Sequence, residues 1–248
     1  MLDKKTDQEI LILKEGGHKL ALILEQLAAA VKPGTTGITL DRLASDLIQK
    51  AGGQPAFKNY RGFPYTLCVS LNNTVVHGLP DDTQFQGGDI VGLDIGMKYK
   101  GLYTDMATTV GVGKISPEAK TLLKVTQQAL TIGIGQVGPD NYIGDIGRAI
   151  AKFIKPFGFG IVKDLAGHGV GRQIHEDPMV PNYDPGFKMD KMFPGLVIAI
   201  EPMIIASNDD RVIVAEDGWA VQSYNHSLTA HFEHTVAVTD DGYLILTE

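Results

Sequence analysis

The chain contains two copies of one apolar strand, and each copy ends in a carboxylate. The segment GDIVGLD, which ends at Asp94, aligns register for register with GLVIAIE, which ends at Glu201. A second carboxylate follows each copy on another β-rich segment, at Asp105 and at Glu233. Four carboxylates that converge on one buried place repel one another, and a bare charge is costly to bury. Because cations resolve that conflict, the repeat predicts a metal site built from both halves of one fold.

The order of the predicted elements repeats in the same way. Each half runs helix, helix, strands, over residues 6–32, 39–52 and 66–110 and then 116–134, 142–155 and 162 to the end. Thr39 is predicted to cap the second helix, and Gly16 with Gly17 to kink the first. We therefore expect an α+β fold in one domain of 248 residues, with pseudo-symmetric halves at about 1–113 and 114–248. A mostly antiparallel sheet would carry the site, with the helices on its other face.

The composition excludes several classes of protein. A hydrophobic fraction of 44% and a charged fraction of 21% are typical of a globular protein. The net charge of −7 argues against a nucleic-acid partner, which needs a basic surface. No segment approaches the roughly 20 apolar residues of a membrane span, and the N-terminus lacks the features of a secretory signal. With Cys68 as the single cysteine, an internal disulfide is impossible, and a cytoplasmic location fits best.

A glycine-rich segment, GHGVGRQIH, adds His168 and His175 to the four acids. Glycines let the backbone pass close to a site, and a neutral imidazole is a common metal ligand. The resulting ligand set is rich in oxygen and has no thiolate: Asp94, Asp105, His168, Glu201 and Glu233. Such ligands suit Mn²⁺, Fe²⁺, Co²⁺ or Zn²⁺, and four acids exceed what one divalent ion neutralises. We therefore predict two ions that activate a water for hydrolysis of a carbonyl or phosphoryl substrate.

The ligand order Asp, Asp, His, Glu, Glu, with the two aspartates eleven positions apart, resembles the methionine aminopeptidases of the pita-bread fold. The segments VVHGLP, GHGVGR, IEPM and FEHT are similar to the main motifs of that family, in unbroken order from about residue 6. The motifs are specific as a set. The resemblance implies the pita-bread (creatinase/aminopeptidase) fold, a pseudo-two-fold antiparallel sheet with helices on its outer face. It also implies a dinuclear metalloaminopeptidase.

By this resemblance, Asp105 and Glu233 bridge two divalent metal ions. Asp94 would bind one of these ions. His168 and Glu201 would bind the other. The identity of the metal, among Co²⁺, Mn²⁺, Fe²⁺ and Zn²⁺, is left open by these ligands.

The resemblance also implies the catalytic residues. Glu201 would move a proton from the attacking water to the leaving amine. His77 would contact the scissile amide nitrogen, and His175 would stabilise the oxyanion of the tetrahedral intermediate. These roles agree with a metal-generated nucleophile, a carboxylate base and positioned donors.

Four residues are expected to bind the methionine side chain of the substrate. A thioether is apolar and polarizable, so an aromatic wall with a neighbouring sulfur suits it. By the resemblance, the pocket is lined by Tyr60, Phe63, Cys68 and Trp219.

The chain lacks the long insertion after His168 and the N-terminal zinc finger found in other methionine aminopeptidases, which implies a compact, bacterial-like type I enzyme. Its substrates would be nascent polypeptides whose initiator methionine precedes a small second residue. The partners expected are these chains, with transient ribosome contact, no nucleic acid, no membrane and a monomeric state.

Three alternatives share some of these features. Proline-directed peptidases, the aminopeptidase P and prolidase group, use the same five ligands but usually carry a large N-terminal domain. A homologue that has lost catalysis and serves as a binding module would typically lack ligands, whereas all five are present. A two-metal phosphatase would want clustered basic residues. The arginines at 61, 148, 172 and 211 are scattered along the chain.

Overall fold

Four α-helices form where the apolar periodicity predicts them in this computed structural model, which describes residues 2–248. They are α1 (Asp7–Ala30), α2 (Gly37–Lys50), α3 (Pro117–Ile134) and α4 (Ile143–Ile154). The hydroxyl of Thr6 accepts the Glu9 backbone N–H at the start of α1, and that of Ser116 accepts the Ala119 N–H at the start of α3. Such caps supply partners to N–H groups that have none within the helix. None of the helices among residues 2–248 has the length and apolar character needed to cross a membrane.

One local expectation about the first helices is wrong. The cap of α2 is Thr36 rather than Thr39, because the Thr36 hydroxyl accepts the Thr39 backbone N–H. The helix α1 runs without interruption through Gly16 and Gly17, where the sequence predicts a kink. A Cβ atom on Gly17 would lie 2.1 Å from the carbonyl oxygen of Leu246. The glycines therefore permit close packing of α1 against the sheet and the C-terminal segment.

Fifteen strands complete the fold of residues 2–248. They are β1 (Gln54–Pro55), β2 (Leu67–Leu71), β3 (Thr74–Val76), β4 (Ile90–Tyr99), β5 (Leu102–Gly111), β6 (Gly160–Ile161), β7 (Gly167–Gly169), β8 (Glu176–Val180), β9 (Val197–Ile200), β10 (Met203–Ile205), β11 (Val212–Val214), β12 (Val221–Ser223), β13 (Thr229–His231), β14 (Glu233–Val238) and β15 (Tyr243–Ile245). Nine strands form one sheet in the order β1-β4-β5-β14-β9-β7-β8, with β2 also on β4 and β15 also on β14. The short sheets β13-β10-β6 and β11-β12-β3 lie beside it. The pairings within these sheets are antiparallel, as predicted.

The helices cover one face of the large sheet. Apolar residues of α1 and α2 pack with Leu93 and Ile95 of β4, and those of α3 and α4 pack with Ile198 and Ile200 of β9. Side chains alternate between the two faces of a strand. Asp94, between the two β4 residues, therefore points to the face that the helices leave uncovered.

Strands β5 and β14 meet at the centre of the sheet through two matching hydrogen-bond pairs. The Thr235 hydroxyl accepts the backbone N–H of Asp105 at 2.9 Å and donates to its carbonyl oxygen at 2.7 Å. The Thr109 hydroxyl makes the same two bonds with His231, at 3.0 and 2.8 Å. Ala107 pairs with Glu233 midway between them. The two pairs are related by a local two-fold axis that passes through the Ala107–Glu233 pair, and the functional residues lie around this axis.

Candidate active site

The sheet register places the acidic residues in one row across the uncovered face. Asp94 lies opposite Ala107 of β5, and Ala107 lies opposite Glu233 of β14. Glu201 follows the last residue of β9, where β9 runs beside the start of β14. Asp105 precedes Ala107 by two positions and shares its face. Carboxylates from four neighbouring strands thus converge, as the sequence repeat predicts.

One detail of that repeat differs between its two copies. Glu201 comes directly after β9, but Asp94 lies in the interior of β4. The reason is that β4 continues beyond Asp94 as a long hairpin with β5, paired up to Tyr99 and Leu102. The prediction that both copies end in their carboxylate is therefore wrong for the first copy.

The structure brings all of the predicted site residues to one cavity of about 630 Å³. They are Tyr60, Phe63, Cys68, His77, Asp94, Asp105, His168, His175, Glu201, Trp219 and Glu233. Residues that the sequence did not single out also line this cavity: Phe57, Arg61, Leu165, Met179 and Met203 among them. The signal of the apolar ones, Phe57, Leu165, Met179 and Met203, was weak because apolar residues beside a strand predict packing equally well.

His168 is held with one ring nitrogen aimed at the acids. Its Nδ1 lies 2.9 Å from the carbonyl oxygen of Gly169, which only accepts, so Nδ1 donates to it and Nε2 is the ring nitrogen that faces the acids. Nε2 lies 3.9 Å from Oδ2 of Asp105 and 3.6 Å from Oε1 of Glu201. The glycines flanking His168 are required sterically, since a Cβ on Gly167 would lie 2.3 Å from the Ala199 carbonyl oxygen.

The arrangement of the acids is that of a cation site, because hydrogen bonds within the protein do not satisfy all of their oxygen atoms. Atoms Oδ1 of Asp94 and Oε1 of Glu233 are buried and have no hydrogen-bond partner. Ligand atoms of Asp105, His168 and Glu233 lie within 4.8 Å of one another. Buried polar atoms without partners are costly in a native protein. Divalent cations supply the missing partners, so the residues present fit the group that the sequence predicts.

The same crowding changes the acidities of these groups. Desolvation, together with the neighbouring carboxylates, holds the pKa of Asp94 and of Glu233 well above the usual range. Desolvation also raises the pKa of Asp105 to about 6. Binding of cations to these carboxylates therefore displaces protons.

His175 and His77 lie on the cavity wall beside the acids. The His175 ring stacks on Tyr60 at 5.2 Å and lies 4.3 Å from the ring of His168, between ring centroids. Although this ring is exposed to the cavity, desolvation by the walls and the adjacent His168 lower its pKa to about 4. His77 follows β3 with a φ of +58°, a left-handed conformation that is strained for a side-chain-bearing residue. Such strain is typical of functional positions.

An aromatic wall closes one side of the cavity. Phe63 and Trp219 pack edge to face with centroids 5.2 Å apart. The thiol of Cys68 is buried, and desolvation raises its pKa, so that it stays an apolar, protonated sulfur. Cys68 lies opposite Asp94 in the β2–β4 pairing, so the wall adjoins the acidic row.

His231 is a polar residue close to the acids that the sequence reasoning missed. His231 is 3% exposed and has its Nε2 atom 3.6 Å from Glu201 and 3.8 Å from Glu233. It precedes Glu233 by two positions, and the alternation of side chains along a strand would have placed it on the same face. That signal was available in the segment HFEHT.

A sheet that presents carboxylates and imidazoles to a water-accessible cavity with an apolar wall defines a metal-dependent hydrolase. The family model described as metallopeptidase family M24 matches residues 12–240. The methionine aminopeptidase of Clostridium perfringens is 41% identical over 247 residues, covering 100% of this chain and 99% of that protein. Methionine aminopeptidase 1 of Bacillus subtilis is 40% identical, with the same coverage of each chain. The chain belongs to metallopeptidase family M24 and, within it, to the methionine aminopeptidases.

Solved structures agree with this assignment. The crystal structure of methionine aminopeptidase from Thermotoga maritima has a TM-score of 0.97 and 40% identity, with 100% of both chains covered. A prolidase from Pyrococcus furiosus has a TM-score of 0.80 at 22% identity, with 99% of this chain and 65% of the prolidase covered, and shows the shared fold alone. The predicted pita-bread fold, family and metallo-hydrolase class are therefore confirmed. The roles of individual site residues stay predictions.

Proposed function

We propose that this enzyme removes the initiator methionine from nascent polypeptides whose second residue is small, as a cytoplasmic monomer in transient contact with the ribosome. The observation that supports this proposal most directly is the junction of two surfaces in one cavity. The aromatic wall of Phe63 and Trp219 directly adjoins the acidic row at Cys68 and Asp94. A substrate with its side chain against the wall has its first peptide bond beside the acids.

Five residues hold the metal in this proposal: Asp94, Asp105, His168, Glu201 and Glu233. Their acids outnumber what one divalent cation neutralises, so we infer two ions from among Co²⁺, Mn²⁺, Fe²⁺ and Zn²⁺. When bound, the pair lowers the pKa of a water and polarises a carbonyl oxygen.

Glu201 is the proton carrier. Burial raises its pKa, but neighbouring imidazoles outweigh that effect and hold the pKa below its usual value. These imidazoles belong to His231, His168 and His77. Glu201 is therefore ionised at neutral pH, and it can accept a proton from the attacking water and deliver it to the leaving amine.

His175 and His77 act on the substrate from the cavity wall. With a pKa of about 4, His175 is neutral at pH 7 and carries one N–H that can donate to the developing oxyanion. The stacking of its ring on Tyr60 fixes its plane. His77, held by its left-handed backbone, donates to or accepts from the scissile amide.

We attribute the preference for a small second residue to side chains that line the cavity beside the acids. His77, His175 and Leu165 all line the cavity in addition to the aromatic wall. In this proposal a bulky second side chain competes with them for space, whereas alanine or glycine does not.

The test is methionine release from the peptide Met-Ala-Ser by metal-stripped protein, with Mn²⁺, Fe²⁺ or Co²⁺ added back. We expect metal-dependent release, much slower release from Met-Leu-Ser and none in Glu201→Ala. Glu216→Ala, an exposed carboxylate outside the cavity, is the matched control and should retain full activity. Equal rates on the two peptides would contradict the proposed selectivity. Cleavage of an Ala-Pro peptide instead would assign a proline-directed activity.

A further inference from the structure

We propose that His231 is a sixth ligand of this centre and supplies a second imidazole to the cation held by Glu201 and Glu233. The inference rests on the proposed metal centre and adds a residue outside the ligand set that the sequence predicts. The cation held by Glu201 would then have two histidine ligands, His168 and His231.

The backbone of His231 is fixed where a ligand is needed. Thr109 holds both its N–H and its carbonyl oxygen, in the same manner that Thr235 holds those of Asp105. The local two-fold axis at the pair Ala107–Glu233 therefore relates His231 to Asp105. Asp105 is a predicted ligand, so the related position faces the same centre.

The distances fit a shared cation better than direct hydrogen bonds. Nε2 of His231 lies 3.6 Å from Oε2 of Glu201 and 3.8 Å from Oε2 of Glu233. A hydrogen bond would bring these atoms to about 2.7–3.2 Å. Two adjacent ligand atoms bound to one cation at about 2.1 Å lie about 3.0–3.4 Å apart, depending on the coordination number. His168, the predicted histidine ligand, lies at the similar distances of 3.9 and 3.6 Å from its acids.

The burial of this nitrogen requires a partner. Nε2 of His231 is buried and makes no hydrogen bond, while the residue as a whole is 3% exposed. Ligand atoms of Glu201, His231 and Glu233 lie within 4.8 Å of one another. A cation among these three atoms satisfies all of them at once.

A second imidazole changes the metal that the centre prefers. Carboxylates and water suit Mn²⁺, whereas imidazole suits Fe²⁺ and Zn²⁺ as well as Co²⁺ and Ni²⁺. The His231→Gln variant keeps a polar side chain but replaces the imidazole with a weak ligand. We expect this variant to shift its relative affinity from Fe²⁺ and Co²⁺ towards Mn²⁺.

The experiment is proton NMR of the protein loaded with Co²⁺, in which the N–H of each coordinated imidazole gives a paramagnetically shifted, exchangeable signal. We expect two such signals in the natural protein and one in His231→Gln. The signal that remains in His231→Gln comes from His168, and this same signal should disappear in His168→Gln, in which His231 is intact. His18→Gln, an exposed histidine on α1, is the matched control and should keep both signals. The Co²⁺ dissociation constant of His231→Gln should rise by about tenfold or more, as it does when ligand support is lost.

One signal in the natural protein would overturn the inference, whatever the variant does. An unchanged pair of signals in His231→Gln would overturn it equally. Both results leave the metal centre itself intact if Co²⁺ still binds at full stoichiometry. Failure of the natural protein to bind Co²⁺ would instead contradict the proposed centre, and the inference with it.

Discussion

The ammonium group of Lys5 lies 2.5 Å from the carboxylate of Glu176, the residue that directly follows His175. The Lys5 side chain is only 1% exposed and that of Glu176 8%. Glu176 also accepts the backbone N–H of Gln173 at 2.7 Å, and the Lys5 backbone donates to Gly195. The segment before α1 is thereby connected to the turn that carries a predicted catalytic histidine.

Replacing Lys5 by methionine should lower both stability and turnover. The substitution leaves the Glu176 carboxylate buried without its cation, a loss of about 3–5 kcal/mol in the free energy of unfolding. The turn bearing His175 then loses its support, so kcat should fall more than KM rises. Urea denaturation and steady-state kinetics measure the two effects. Lys4→Met, an exposed neighbour, is the control, and equal behaviour of the two variants would refute the role of the ion pair.

Truncating Trp219 to alanine should weaken recognition of the methionine side chain. The substitution removes one side of the aromatic pair with Phe63. We expect kcat/KM for Met-Ala-Ser to drop by about tenfold or more, mainly through KM, because the wall binds the side chain and not the reacting atoms. Tyr224→Ala removes an exposed aromatic residue outside the cavity and should have no effect. A loss confined to kcat would argue that Trp219 serves another purpose.

Metal affinity should increase with pH. The pKa of Asp105 is raised to about 6, and those of Asp94 and Glu233 are raised further above the usual range. These carboxylates therefore hold protons at pH 5.5 that a cation must displace, and fewer at pH 7.5. The Co²⁺ dissociation constant should fall across this interval, with protons released on binding. Competition with a colorimetric chelator measures the dissociation constant, and the pH change in a weakly buffered solution measures the protons released. A dissociation constant independent of pH would contradict the raised pKa values.

The Gly17→Ala substitution should destabilise the protein although alanine favours helices. The gain in helix propensity is about 1 kcal/mol. Against it, the new Cβ would lie 2.1 Å from a backbone oxygen of Leu246, which forces a shift of the chain. Overpacking of this kind costs about 1–3 kcal/mol or more. Thermal unfolding should show a lower Tm, while Gly87→Ala, with open space around the new methyl group, should leave it unchanged.

Much of this site could be predicted because its functional residues lie in short sequence motifs. The repeat that ends at Asp94 and Glu201 predicted that both acids meet at one site, and the structure brings them to the same cavity although β5 and β14 lie between their strands. The start of α3 is readable because Ser116, a residue type that favours helix caps, directly precedes Pro117 and lies three residues before the N–H it accepts. The roles of single residues and the division of the chain into halves near residue 113 stay predictions.

What could not be predicted depends on contacts between distant parts of the chain. The Lys5–Glu176 pair joins residues 171 positions apart, and no local pattern marks either of them. The length of β4 beyond Asp94 is set by its pairing with β5. Gly96 in this part of β4 leaves room for Phe57, since a Cβ atom on Gly96 would lie 2.8 Å from the Phe57 ring. His231 shares the face of Glu233 because side chains alternate along a strand, but a single histidine beside apolar residues is equally typical of a packed core.

The predicted ligands come from the two halves of the chain and meet where β5 pairs with β14. Asp94 and Asp105 precede α3, whereas His168, Glu201 and Glu233 follow it. A protein cut in the short connection between β5 and α3 would thus yield two fragments with incomplete ligand sets, neither capable of hydrolysis. Recovery of activity would then require reassembly of the β5–β14 pairing, so the chain has the architecture of a split reporter for association.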